Sequence, residues 1–184
     1  MRITLLGLSL LIGCGGGDGG GTSFEGIFKV DTWTENRTSC AAEGASVAAM
    51  HEPLFYVKNE NFLGQTFVNV NGCVDLATCK TEANDKDTIH IGSFGFEEGS
   101  DSAGWTTHSA FAFEVQGSCD GSVTDTKMTI TKTTIRIEQR RVDALPFPPS
   151  AGEDECPDAK VEMAAQGQPC TQLEVVTATF DQSF

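Results

Sequence analysis

Seven cysteines, three histidines and two acidic clusters are the residues with chemistry to offer. Cys14 stands apart from the other six. It follows Gly13 at the end of an apolar run and precedes a stretch, Gly15 to Gly21, broken only by Asp18. The others are Cys40, Cys73, Cys79, Cys119, Cys156 and Cys170. Their chemistry is redox pairing: an even count in an exported chain reads as a disulfide framework, with fifteen ways to connect six thiols. The preferred set is Cys73–Cys79 and Cys156–Cys170, which close short loops, and by elimination Cys40–Cys119. No C-x-x-C pair is present, so no metal site is expected on the cysteines. His51, His90 and His108 lack the i, i+2 or i, i+4 spacing of converging ligands; His90 and His108 fall on segments that could be neighbouring strands.

The sequence offers no G-x-S-x-G elbow and no nucleophile with a base beside it, so no catalytic residues and no cofactor are expected. The clusters "TEANDKDT" (Thr81–Thr88) and "GEDE" (Gly152–Glu155) lack the glycine and terminal glutamate of a calcium loop and read as solvated loops. "NRT" at Asn36 matches a glycosylation sequon and is read as chance.

The start of the chain says where these residues work. Met1-Arg2 supplies one positive charge, and Ile3 to Ile12 is apolar. That run is about half the roughly 20 residues a membrane-crossing helix needs. A charged start, a short apolar core and a small residue before a break form a secretory signal. The break, Leu11-Ile12-Gly13-Cys14, resembles the lipobox of bacterial lipoproteins. The resemblance implies cleavage before Cys14, a diacylglycerol on its sulfur and attachment to the cell envelope. Gly15 in place of an aspartate then favours the outer membrane. Two or more acyl chains hold a protein stably, because each buried methylene contributes about 0.8 kcal/mol. The resemblance thus implies a signal peptide at residues 1–13, a lipidated glycine-rich tether at 14–24 and one domain at 25–184. A glycine-rich tether is flexible.

A net charge of −14 argues against nucleic acid and against attachment through basic residues to anionic lipid. Arg2 is the only charged residue lost with the signal.

Strand chemistry dominates the domain. "WTTHSAFAFEV" alternates with a period of two, placing Trp105, Phe111 and Phe113 on one face. "GIFKVDTW" puts Phe28 and Val30 together. "LFYVKN", "TFVNVNGCV", "TKMTIT", "TIRIEQRRV" and "LEVVTATF" repeat the pattern. In "IHIGSFGFE" the phase slips at Gly92-Ser93, as at a bulge. A proline-rich loop follows Leu145, and Cys156–Gln166 reads as one helix with Pro157 at its start and Gly167 after its end.

About eight strands with short connections give an all-β, antiparallel domain. It is either a barrel that closes on itself or a two-sheet sandwich. The strand count, the late helix before a terminal strand and the opening "EGIFKV" resemble the lipocalin or calycin barrel. In that resemblance Gly26 and Phe28 stand at the G-x-W start, with phenylalanine for tryptophan, and Arg136, Arg140 or Arg141 takes the late-strand arginine. The family's T-D-Y turn has no counterpart. The resemblance implies a cavity for one small apolar ligand, with Phe28, Val30, Trp105, Phe111 and Phe113 as its candidate lining. The alternative is a filled core whose exposed loops, Thr81–Thr88 or Pro146–Glu155, meet another envelope component.

Overall fold

The computed structural model describes residues 20–62, 64–85, 94–150 and 156–184. Cys14, His90 and the cluster at 152–155 lie outside the described residues, as does the end of the 81–88 cluster. The elements run β1 (Gly26–Asn36), β2 (Ala45–Ser46), β3 (Leu54–Phe62), β4 (Gln65–Cys73), α1 (Leu76–Asn84), β5 (Phe94–Phe96), β6 (Glu98–Ser100), β7 (Gly104–Val115), β8 (Ser118–Ile130), β9 (Thr134–Asp143), α2 (Asp158–Ala165) and β10 (Gln172–Gln182). A single 3₁₀ turn, Ala48–Met50, precedes β3.

Nine strands follow one antiparallel path, β5-β4-β3-β1-β10-β9-β8-β7-β6, and β2 pairs with β1 off that path. The two ends of the path, β5 and β6, are separated in sequence by Glu97 alone. One short segment, Phe94–Ser100, therefore pairs first with β4 and then with β7. The result is a nearly closed barrel, which decides against the sandwich. Closure is the physical answer to sheet edges, which otherwise expose unpaired backbone groups.

Local chemistry sets the turns. β7 and β8 are joined by Gln116-Gly117, both at positive φ (52° and 81°). This is the hairpin turn whose twist matches the flanking strands. In β1 the register shifts between Val30 and Thr32. The extra residue, Asp31, flips the alternation, so Phe28 and Val30 before the bulge and Trp33 after it all face inward.

The main core lies in the barrel interior. Phe28, Trp33, Phe55, Val68, Phe96, Trp105, Met128, Ile137 and Val176 are buried in one cluster fed by eight strands. Two smaller clusters lie on the outer face. Under α1, Ile27 and Tyr56 pack with Cys73, Cys79 and Ala83. Under α2, Val123 packs with Val161 and Ala165.

The late helix stands where the sequence puts it, with Pro157 at its N-cap and Gly167 at positive φ beyond its C-cap. α1 is an addition. It starts on Asp75, whose carboxylate accepts from the Thr78 N–H at 2.8 Å. Such a cap satisfies one of the orphan donors of a helix start.

The disulfides correct two of the three expected pairs. Cys73–Cys79 forms as expected. Cys40 pairs with Cys170 and Cys119 with Cys156, in place of Cys40–Cys119 and Cys156–Cys170. The reason is register. β1 and β10 pair along their length as far as Asn36 opposite Leu173, so the residues just beyond, Cys40 and Cys170, meet. Cys119 is bridged to Phe147, which brings the proline-rich loop, and Cys156 after it, over the start of β8.

Candidate functional site

The outer face of β6–β9 carries charged groups of both signs around an open groove of about 650 Å³. Pairing across the strands lays down its rows. Glu98, Thr106, Lys127 and Glu138 stand opposite one another in turn, and so do His108, Asp125 and Arg140. Opposite charges placed directly across strands attract, while like charges there repel. The second row alternates in sign. Arg140 also donates to Glu138 at 2.7–2.8 Å, and Glu138 lies 3.7 Å from Arg136, which reaches Glu43 at 2.8 Å.

His108 joins this groove to α2. Its Nδ1 lies 2.6 Å from Asp125 Oδ1, and its Nε2 lies 3.5 Å from Glu162 on α2. The helix is seated by Val161 and Ala165 against Ala110, Ala112 and Val142. Gly121 permits that seat, since a Cβ there would stand 3.1 Å from Val161 Cγ1 and 2.7 Å from the Ala112 Cβ. A smaller apolar crevice of about 420 Å³ opens between the helix and the sheet, with Val123, Val142 and Met163 on its walls.

The hydrogen bond to Asp125 raises the His108 pKa above its ordinary 6.5; partial burial opposes this, and Glu162 adds to it. The shift favours the protonated imidazole, which bridges the two carboxylates. The sign of the linkage follows. A raised folded pKa contributes stability that is fully present below the unfolded value and is lost as pH rises through the folded value. Wild type should therefore exceed His108→Gln in thermal midpoint near pH 6, and the gap should shrink as pH rises past the ordinary imidazole value of 6.5. Paired melts across pH check this; a gap that widens with pH would refute it.

A second polar cluster caps one end of the barrel interior. The Trp33 indole N–H donates to Glu174, and His51 stacks on Trp33 with ring centroids 3.6 Å apart. Burial raises the Glu174 pKa, and the indole hydrogen bond opposes that shift. Gln172 donates to Glu35 at 2.7 Å, and Arg37 pairs with Glu35 at 2.9 Å.

Of the five aromatic and aliphatic residues expected to line a cavity, three meet in the barrel interior and two lie outside it. Phe28 and Trp105 are buried in the core, and Val30 packs against it. Phe111 and Phe113 are 65% and 54% exposed, with their rings 5.9 Å apart. They share the face of Trp105, but β7 outruns the core. Trp105 stands opposite Met128, whereas Phe111 stands opposite Ser122 near the far end of β8. Asn36 of the sequon spends its side chain locally, accepting from Thr38 and donating to Ala42.

Sequence reasoning passed over Asp125, Glu162, Lys127 and Glu138. Their grouping needs the β7–β8–β9 register and the seat of α2, and a linear pattern carries neither. Among the described residues no group of three or more His, Cys, Asp or Glu is arranged to hold a metal ion. No described helix is long and apolar enough to cross a membrane. Comparison with protein-family models gives no match, and comparisons with curated proteins and with solved structures give none either.

Proposed function

We propose that this chain is an exported lipoprotein, anchored to the bacterial envelope through acylated Cys14, that acts as an interaction module through the outer face of its barrel. The observation that carries the reading is the contrast between inside and outside. The interior is packed with buried side chains, so an apolar ligand there would have to displace groups such as Trp105 and Met128. The outer groove is open and lined by both signs of charge. Charge of both signs suits a protein segment of mixed charge better than a uniformly anionic surface. The glycine-rich tether gives the domain room to turn that face towards a neighbour.

Two measurements in cells test it. A fatty-acid label should enter the wild-type chain and not Cys14→Ser; no label on either removes the anchor from the reading. A photoreactive residue at Thr106, in the groove, should give one discrete cross-linked product that is lost with Cys14→Ser. The same residue at Thr32, on β1, should give none. Equal products from both positions, or none from Thr106, would overturn the groove as the working surface.

A further inference from the structure

The first long strand meets the last along the seam that closes the barrel, and two carboxylates face each other across it. Glu35 of β1 stands directly opposite Glu174 of β10, just past the opposed pair Trp33 and Val176 on the same face. Trp33 and Val176 belong to the core cluster, so the two carboxyls lie at the core's edge. The Glu35 side chain is 11% exposed, and Glu174 is partly buried. Like charges directly across strands repel, and burial strengthens the repulsion.

The surroundings treat the two carboxyls differently. Glu35 accepts from Gln172 at 2.7 Å and pairs with Arg37 at 2.9 Å, which favours its charged form. Glu174 has the Trp33 indole N–H as its donor. The other charged or titratable groups that act on it are His51, stacked on Trp33 from the turn before β3, and Arg37 beyond Glu35. On β9 it stands opposite Gln139, which is neutral, and Arg141 beyond is held by Asp143 at 2.9 Å. Burial raises the Glu174 pKa above the ordinary 4.5 and Glu35 adds to the rise, while the indole, His51 and Arg37 oppose it. Of the pair, Glu174 is the carboxyl that keeps a proton more readily.

We propose that Glu35 and Glu174 form a proton-operated clasp on the closing seam: with one proton between them the seam is tight, and with both ionised their repulsion loosens this end of β1 and β10. The Cys40–Cys170 bond ties the same two segments just beyond the clasp. It keeps them together when the repulsion acts, so the change is a reversible loosening and the barrel stays closed. The clasp does not depend on the groove reading, since the groove lies on the outer face.

The test follows stability and indole fluorescence of the full-length chain in detergent from about pH 4 to about pH 8. A carboxyl whose pKa is raised on folding contributes stability below its unfolded value, and that stability is lost as pH rises through the folded value. Glu174→Gln keeps an amide oxygen to accept from the indole. It should therefore melt higher than wild type at about pH 8. The gap should close as pH falls to the ordinary carboxylate value of 4.5. Trp33 reports the proton directly. Its fluorescence should show a step above pH 4.5 in wild type that is lost in Glu174→Gln, and Glu35→Gln should move that step down towards 4.5. Trp105, the other tryptophan, is bonded to Asp101, whose carboxyl is held below its ordinary value, so that pair titrates outside the window. A step due to His51 alone would survive Glu174→Gln. Such a surviving step overturns the proposal, as does a step that Glu35→Gln leaves in place. So does a Glu174→Gln variant that melts lower than wild type at the alkaline end.

Discussion

Trp105→Ala should lower the free energy of unfolding by about 3–5 kcal/mol, the cost of emptying a large aromatic site in a packed core. Trp105 is only 2% exposed and stands opposite Met128 in the barrel cluster. It also holds the entry of the chain. Its indole N–H donates to Asp101 Oδ1 at 3.0 Å, and the same carboxylate accepts from Thr22 Oγ1 at 2.7 Å and from the Ser23 N–H at 2.8 Å. Burial alone would raise the Asp101 pKa, but these hydrogen bonds hold it below the ordinary carboxylate value. The alanine variant thus loses packing and one of three donors together. Phe111→Ala, on the same strand face, should change stability by no more than about 0.5 kcal/mol, as exposed sites usually do. Urea unfolding of both variants checks the contrast. Similar small losses at both positions would mean that Trp105 lines open space, and the packed-core account would fail.

Removing the Cys40–Cys170 bond with a pair of serines should cost about 5 kcal/mol on the chain-entropy account, because it spans 130 residues. Removing Cys73–Cys79, which spans 6, should cost about 2 kcal/mol. Domains of this kind are stable by only about 5–15 kcal/mol. The first variant is therefore expected to accumulate poorly or melt near growth temperature, and the second to fold. Equilibrium unfolding of the two double-serine variants measures the difference. If the ranking reverses, the long bond does not tie β1 to β10 in solution.

The strands were legible because their faces differ. Alternation places Trp105, Met128, Ile137 and Val176 correctly, and α2 is readable from its proline, its acid and its trailing glycine. α1 was less legible because it buries only Cys79 and Ala83. Apart from Leu76 and Ala77, its remaining residues are polar and merge with the acidic stretch after them. The available signal was Asp75, a capping residue ahead of the helix. Trp33 was hidden by the bulge at Asp31, which no periodicity shows. Barrel and sandwich share the same alternation, so the choice waits on the β1–β10 pairing and on the split strand β5–β6. Both are contacts between distant parts of the chain. The two other disulfides rest on distant contacts as well, Cys40–Cys170 on the β1–β10 pairing and Cys119–Cys156 on the bridge from Cys119 to Phe147. Alternation also tells which face Phe111 takes, yet it is silent on whether core or water meets that face.

The pairing of the first long strand with the last has a consequence in time. Hairpins such as β7–β8 can form within microseconds of their residues coming together. The ring cannot close until β10 exists, because pairs such as Thr32 and Thr177 are 145 residues apart. During synthesis β1 therefore waits with one edge unmatched, and Cys40 waits with it. Cys73, Cys79, Cys119 and Cys156 all emerge before Cys170 does. The thiol that must stay unpaired longest is the first of the six to be synthesised.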